Sequence, residues 1–358
     1  MLRAMPETPD EDDAPDRRDA REVPAFRAEP LADVLAYVER ALAAGADEVR
    51  LRVLDPDHGR GRYAGEQLEL DGVAYVHRPL RAWVELADRL GLRLGTPRAS
   101  TPPLVELRLE RLDAGARWQA DAPADVRERY GPASAYARIR KLEEPGFAID
   151  LAAAYRRAAL APDARVLSLG CNTGDELAAL CDVVPGLAAH GALAGIDHSE
   201  RAIAVAAARF PGARHRFVAA DLAALPSLAL GRFDLVVVLG TLQSPGVDDR
   251  ALLRLIVQDH LAPRGAVIVG LPNCRYLDGE LVHGARMKNF REPELGLLVK
   301  DVAFYRKYLQ QHDRQVFVTG QHYLLVTAVA RASGGGVSGG GDGVSSPGRA
   351  RPAARPAR

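Results

Sequence analysis

Three places in this chain end an apolar run in residues that could grip a ligand. Residues 166–177 (VLSLGCNTGDEL) read as a short buried strand, a tight glycine turn and the start of a helix. Gly170 and Gly174 permit backbone angles that other residues avoid, and they let a ligand come close to the main chain. The first amides of the helix then point back into the crevice at the strand end, where open α/β sheets bind ligands. Residues 192–197 (ALAGID) close a second apolar run in Asp197, and residues 214–221 (RHRFVAAD) close a third in Asp221. A carboxylate at the first position can accept both hydroxyls of a ribose, and one at the second can accept from an adenine amino group. Each Asp is equally suited to cap a helix, and a glycine turn can do no more than pack strand on helix.

The loop lacks the G-x-G-x-x-G dinucleotide pattern, and Asp175 at the helix start would repel a pyrophosphate. The Gly-Lys-Ser/Thr of a phosphate-binding loop is also absent. A ligand without phosphates fits better. S-adenosylmethionine is one: an adenosine, a sulfonium and an amino acid. Further apolar runs follow at 233–240 and 265–270, with a closing pair at 314–319 and 322–328. The glycine loop and the two acids, in this order among these runs, resemble the class I S-adenosylmethionine-dependent methyltransferases over about residues 126–330. The resemblance implies a doubly wound, seven-stranded, Rossmann-like α/β sheet with S-adenosylmethionine as cofactor. It implies that Gly170, Cys171, Asn172 and Gly174 shape the methionine end, that Asp197 with His198 holds the ribose and Asp221 with Leu222 the adenine, and that Gly240 flanks the methyl. Among Tyr130, Tyr136, Arg138 and Arg140, ahead of the first strand, Arg138 would pair with the methionine carboxylate or else with a surface acid. The family usually has an acid two residues before the first glycine; here it is Ser168, and the usual middle glycine is Asn172. Asp175 or Glu176 could supply part of the missing charge.

On the acceptor side, residues 240–245 (GTLQSP) should form one wall of the site through Thr241 and Gln243. They are not the Asn/Asp-Pro-Pro-Tyr/Phe loop of enzymes that methylate exocyclic or amide nitrogens. The long insertion at 271–296 is expected to be a substrate lid, with Asn273, Arg275 and Arg286 as acceptor contacts. His283 could act as a general base or be an incidental loop histidine; Gln243 is the other weak catalytic candidate. Methyl transfer from a sulfonium asks for positioning more than for a strong acid or base, so no catalytic triad is required.

The remaining composition narrows the partners. A formal net charge of +0 over 358 residues removes the general attraction to nucleic acid and favours a small metabolite over RNA as acceptor, although the Arg/Lys cluster in the insertion leans the other way. Cys171, Cys181 and Cys274 have no C-x-x-C spacing, so neither a disulfide framework nor a metal site is expected. No apolar run approaches the roughly 20 residues that span a bilayer, and the N-terminus has no signal pattern, so a cytoplasmic protein is expected; the oligomeric state is left open.

Residues 1–29 are rich in Asp, Glu, Arg and Pro and should be disordered. Residues 30–113 should form a small α+β domain: a helix over 31–42, a strand at 48–54, a hairpin at 67–76 turning on Asp71 and Gly72, a helix over 79–90 and a strand at 104–112. A linker at 114–125, the methyltransferase-like domain at 126–330 and a disordered tail at 331–358 complete the chain. The expected activity is S-adenosylmethionine-dependent methyl transfer. The alternatives are a non-catalytic protein that keeps the cofactor, which Ser168 allows, and a nucleotide-binding oxidoreductase, against which the loop speaks.

Overall fold

A computed structural model describes residues 23–284, 287–288, 292–293 and 295–331. The expectations for residues 1–22 and 332–358, and the candidate Arg286, lie outside the described residues.

The chain opens with β1 (Ala25–Phe26), α1 (Leu31–Ala43), β2 (Glu48–Leu54), the hairpin β3 (Glu66–Leu70) and β4 (Val73–His77), α2 (Leu80–Leu90), β5 (Leu92–Leu94), β6 (Arg98–Ala99) and β7 (Leu104–Arg111). β1, β2, β7 and β5 form one sheet, with β6 also paired to β7. Period-two alternation decides its faces. Val49, Leu51, Val53, Leu107 and Leu109 bury against Val34 and Val38 of α1 and Trp83 and Leu86 of α2. The intervening Arg50, Arg93, Arg108, Glu48, Glu106 and Glu110 form ion pairs on the other face. The β3–β4 turn is made by Asp71 and Gly72, both at positive φ (50° and 74°), the two-residue geometry that matches strand twist.

Two features depart from expectation here. Structure begins before residue 30: β1 pairs in parallel with β2, Pro24 O accepts from Arg52 N at 2.8 Å, and Phe26 packs on Tyr37. Strand pairing, main-chain hydrogen bonds to β2 and β4 and one aromatic contact hold a segment whose composition reads as unfolded. β5 and β6 were not foreseen, because two- and three-residue strands carry no periodic signal.

Residues 114–144 carry only short helical turns. They form four 3₁₀ turns, Trp118–Asp121, Val126–Glu128, Ala135–Arg138 and Lys141–Glu143. Trp118, Tyr130 and Tyr136 pack mutually with ring centroids 5.0–5.2 Å apart. Only then does α3 (Pro145–Ala158) begin, with Pro145 at its first turn.

β8 (Arg165–Leu169), α4 (Asp175–Val183), α5 (Leu187–His190), β9 (Ala192–Asp197), α6 (Glu200–Arg209), β10 (Arg216–Ala219), β11 (Phe233–Leu239), α7 (Asp249–Leu255) and β12 (Leu261–Pro272) follow. Next come two hairpins, β13 (Cys274–Leu277) with β14 (Glu280–His283) and β15 (Met287–Lys288) with β16 (Glu292–Pro293), then α8 (Leu295–Gln311), β17 (Arg314–Thr319) and β18 (Tyr323–Ala330). The main sheet is seven-stranded, in the order β10-β9-β8-β11-β12-β18-β17. Its first five strands are parallel; β18 runs antiparallel to β12, and β17, antiparallel to β18, runs in the direction of the first five. The fold is therefore the doubly wound, Rossmann-like α/β sheet. Apolar runs in the central strands bury on both faces: Leu167, Leu169, Val236 and Val238 against α7 and α8, and Val166, Leu235, Val237 and Ile268 against α3 and α4. β8 starts at the centre, the chain winds outward through β9 and β10, then returns to β11 on the other side. That reversal opens a crevice at the ends of β8 and β11.

Candidate functional site

The glycine loop lies at this crevice. Gly170 (φ 71°), Asn172 (φ 44°) and Gly174 (φ 77°) are all left-handed, which turns the chain sharply from β8 into α4. The Gly170 and Cys171 amides both donate to Ile196 O, so the loop is stitched to β9. A Cβ on Gly170 would run into the Thr241 side chain, whose hydroxyl donates to Leu169 O at 3.0 Å. Gly174 faces inward: a Cβ there would lie 3.1 Å from Phe210 and 3.5 Å from the Ala206 methyl. Gly174 thus lets α4 begin tightly against α6. Cys171 is buried, with its sulfur over Gly195.

Asp197 holds the loop in place. Its Oδ2 accepts from Asn172 N and its Oδ1 from Ser199 N, each at 3.0 Å. The helix cap beyond it is Ser199, whose Oγ accepts from Ala202 N and donates to Glu128. Asp197 itself is therefore not spent on capping. Asn172 adds a second tie: its Oδ1 accepts from Thr173 N and its Nδ2 donates to Tyr130 O at 2.6 Å. Asp221 does cap, accepting from Ala223 N at 2.8 Å ahead of the 3₁₀ turn Leu222–Leu228. Beside it Arg127, His198, Glu200, Ala219, Ala220 and Asp221 line a cavity of about 200 Å³. Leu222 packs against the core beneath. Arg138 is exposed on its 3₁₀ turn. The structure thus brings together the loop, Asp197, His198 and Asp221 along the ends of β8, β9 and β10.

The acceptor-side candidates are held by the chain itself. Gln243 Nε2 donates to the Tyr305 hydroxyl at 3.4 Å, and that hydroxyl donates to Asp249. Asn273 N donates to His322 O and Asn273 Nδ2 to Gln321 O, which fixes the foot of the β13–β14 hairpin on the turn before β18. Arg275 donates to the carbonyls of His283 and Gly284. His283 lies opposite Cys274 in that hairpin, 6.3 Å from the His322 ring. The hairpin tip is pinned from the first sheet: Arg93 donates to Glu280 at 2.7 Å and pairs with Asp278 at 3.3 Å, while Asp278 N donates to Ala116 O.

Sequence reasoning passed over Lys141 and Tyr323, which meet beside Glu176. The Lys141 ammonium stands 5.2 Å from the Tyr323 ring centroid and 5.6 Å from that of Tyr136. Enclosure alone would lower its pKa, but Tyr136, Tyr323 and Glu176 outweigh that and hold it well above the ordinary lysine value. Burial raises the Glu176 carboxyl while Lys141 pulls it down. Tyr323 is pushed up to about 12, mainly by burial. A signal existed: Lys141 is one of four lysines in a chain with 47 lysines and arginines.

All three thiols are raised by burial, Cys274 to about 11 from an ordinary 9.0. Cys274 should therefore carry roughly 100-fold less thiolate at pH 8 than a free thiol. Iodoacetamide at pH 8, followed by mass spectrometry, should label it slowly in the native protein and readily in urea; equal rates would contradict the packing described. Among the described residues no cluster of His, Cys, Asp and Glu could hold a metal ion, and no helix is long and apolar enough to cross a membrane.

Residues 166–265, which run from β8 into β12 and include the loop, Asp197 and Asp221, match the family model of a methyltransferase domain. The match falls on the same segment as the resemblance drawn from its loop and strand-end acids. A S-adenosylmethionine-dependent methyltransferase from Aquifex aeolicus is similar in structure, with 15% identity over 51% of this chain and 90% of that one and a TM-score of 0.37. A TehB-like S-adenosylmethionine-dependent methyltransferase from Corynebacterium glutamicum has 20% identity, coverages of 55% and 96% and a TM-score of 0.35. Magnesium protoporphyrin IX methyltransferase from Synechocystis, solved with S-adenosylmethionine bound, has 18% identity, coverages of 51% and 77% and a TM-score of 0.34. At these identities the likeness is one of fold. No curated protein sequence matches the chain.

Proposed function

We propose that this protein binds S-adenosylmethionine along the ends of β8, β9 and β10 and transfers its methyl group to a small acceptor on the β11–β12 side. The observation that carries this reading is the Asp197 carboxylate. Two main-chain amides fix it at the end of β9, one residue from a cavity lined by His198 and Asp221. A carboxylate has about four acceptor positions; the two amides use one on each oxygen, and the others suit the adjacent hydroxyls of a ribose.

The other residues fit the same cofactor. Ala219 and Ala220 give the cavity a wall without bulk, where a flat base can lie against the backbone, and Asp221 can accept from its amino group. The Gly170–Gly174 turn would face the methionine end, and the enclosed Glu176 offers the acid that Ser168 does not. When bound, the cofactor supplies a methyl group on a positively charged sulfur, which departs without help from an acid. The chain's task is then to exclude water and hold the acceptor in line. The β13–β14 hairpin, anchored by Asn273 at its foot and by Arg93 at its tip, forms the roof on that side.

Methyl-labelled S-adenosylmethionine incubated with the protein and fractionated cell extract tests this reading. Label should appear in molecules below about 1 kDa, since +0 net charge gives no general pull on nucleic acid. Label confined to RNA would overturn the small acceptor. Binding of S-adenosylmethionine with no transfer to any fraction would favour the non-catalytic alternative, for which the buried Ser168 is the supporting observation.

A further inference from the structure

Tyr323 opens β18, and its ring lies across the ends of β11 and β12. A Cβ on Gly240 would fall 2.6 Å from the Tyr323 hydroxyl, and one on Gly270 would fall 2.7 Å from the ring edge. Both positions are glycine, which leaves the ring its room. The hydroxyl is buried and has no hydrogen-bond partner, on a residue 7% exposed. An unpaired buried hydroxyl costs stability unless something else uses it.

Beside it stands Lys141, a cation facing two aromatic rings. Among the described residues no carboxylate lies within 4 Å of its ammonium, although the charge of Glu176 reaches it. Cys274 and Tyr276, which share one face of β13, lie close enough for the Lys141 charge to act on both. A cation enclosed this way, next to a free hydroxyl donor, is a receptor for an anionic oxygen. Its place decides whose oxygen. The loop, Asp197 and Asp221 run along the ends of β8–β10, whereas the Tyr323 ring lies at the ends of β11 and β12; Glu176, at the start of α4, is where the nest adjoins the loop.

Building on the methyltransferase reading, we propose that Lys141 and the Tyr323 hydroxyl anchor a carboxylate of the methyl acceptor, so that the acceptor belongs to the small, aromatic-compatible organic acids. Lys141 supplies the charge, Tyr323 a directed donor, and the ring of Tyr136 a flat wall.

Benzoate and benzamide serve as probes of equal shape and different charge. Full-length protein saturated with S-adenosylhomocysteine is titrated with each by calorimetry. Benzoate should bind about tenfold or more tightly than benzamide, the ratio expected of one charged hydrogen bond. Lys141→Met should remove that preference and leave S-adenosylhomocysteine affinity within about twofold, while Lys141→Arg, which keeps the charge, should retain most of it. Melting temperatures establish that each variant is folded, and Tyr323→Phe, which loses only the hydroxyl, supplies a milder variant that should weaken benzoate severalfold. Equal affinity for the two probes, or binding of neither, overturns the proposal. So does a tenfold loss of S-adenosylhomocysteine affinity in Lys141→Met, which would assign the nest to the methionine carboxylate. Failure of the wild-type protein to bind S-adenosylhomocysteine would instead strike the methyltransferase reading.

Discussion

Asp197→Ala should weaken S-adenosylmethionine binding by about 10- to 100-fold, the worth of one or two hydrogen bonds to a charged group. Two losses combine in that figure. The ribose hydroxyls lose their acceptor, and the amides of Asn172 and Ser199 lose the oxygens they bond at 3.0 Å, which loosens the glycine loop. Asp197→Asn separates the two, because its single carbonyl oxygen keeps two acceptor positions in place of about four, and its NH₂ cannot accept from the second main-chain amide. Affinity should then lie between wild type and Asp197→Ala, with melting temperature closer to wild type. Unchanged affinity in a folded Asp197→Ala protein would remove this residue from the binding site.

Gly170→Val should act on stability first and on cofactor binding through it. The native φ of 71° costs a non-glycine residue about 1–2 kcal/mol. Crowding from the added side chain should cost about 1–3 kcal/mol more, because a Cβ at this position runs into Thr241. Pairing the substitution with Thr241→Gly removes the second cost and keeps the first. The double variant should therefore melt between wild type and Gly170→Val, and thermal denaturation of the three proteins checks the order. If Gly170→Val melts like wild type yet fails to bind S-adenosylmethionine, the space beside Gly170 belongs to the ligand and not to Thr241.

Much of this architecture could be read from residue order. The strands of the large sheet are legible because each is an apolar run between polar breaks, and β9 ends in Asp197 where that pattern places it. The hairpin turn at Asp71 and Gly72 was legible because few residue pairs accept two positive φ angles. The segment 126–144 was not, because Tyr130 and Tyr136 pack on Trp118, a residue outside it. Asn273 and Arg275 suggested ligand contacts by residue type alone, whereas their side chains bond backbone carbonyls, of Gln321 before β18 and of Gly284 after β14. Lys141 and Tyr323 were missed because neither belongs to a local motif. They meet only once the sheet has closed and β18 lies beside β12.

The central claim is that the crevice at the end of β8 takes S-adenosylmethionine and not a dinucleotide. Calorimetric titration of the purified protein with S-adenosylmethionine and, separately, with NADH tests it most directly. The account predicts saturable binding of S-adenosylmethionine at one site per chain and none of NADH at the same concentrations. Saturable binding of NADH without binding of S-adenosylmethionine would contradict it.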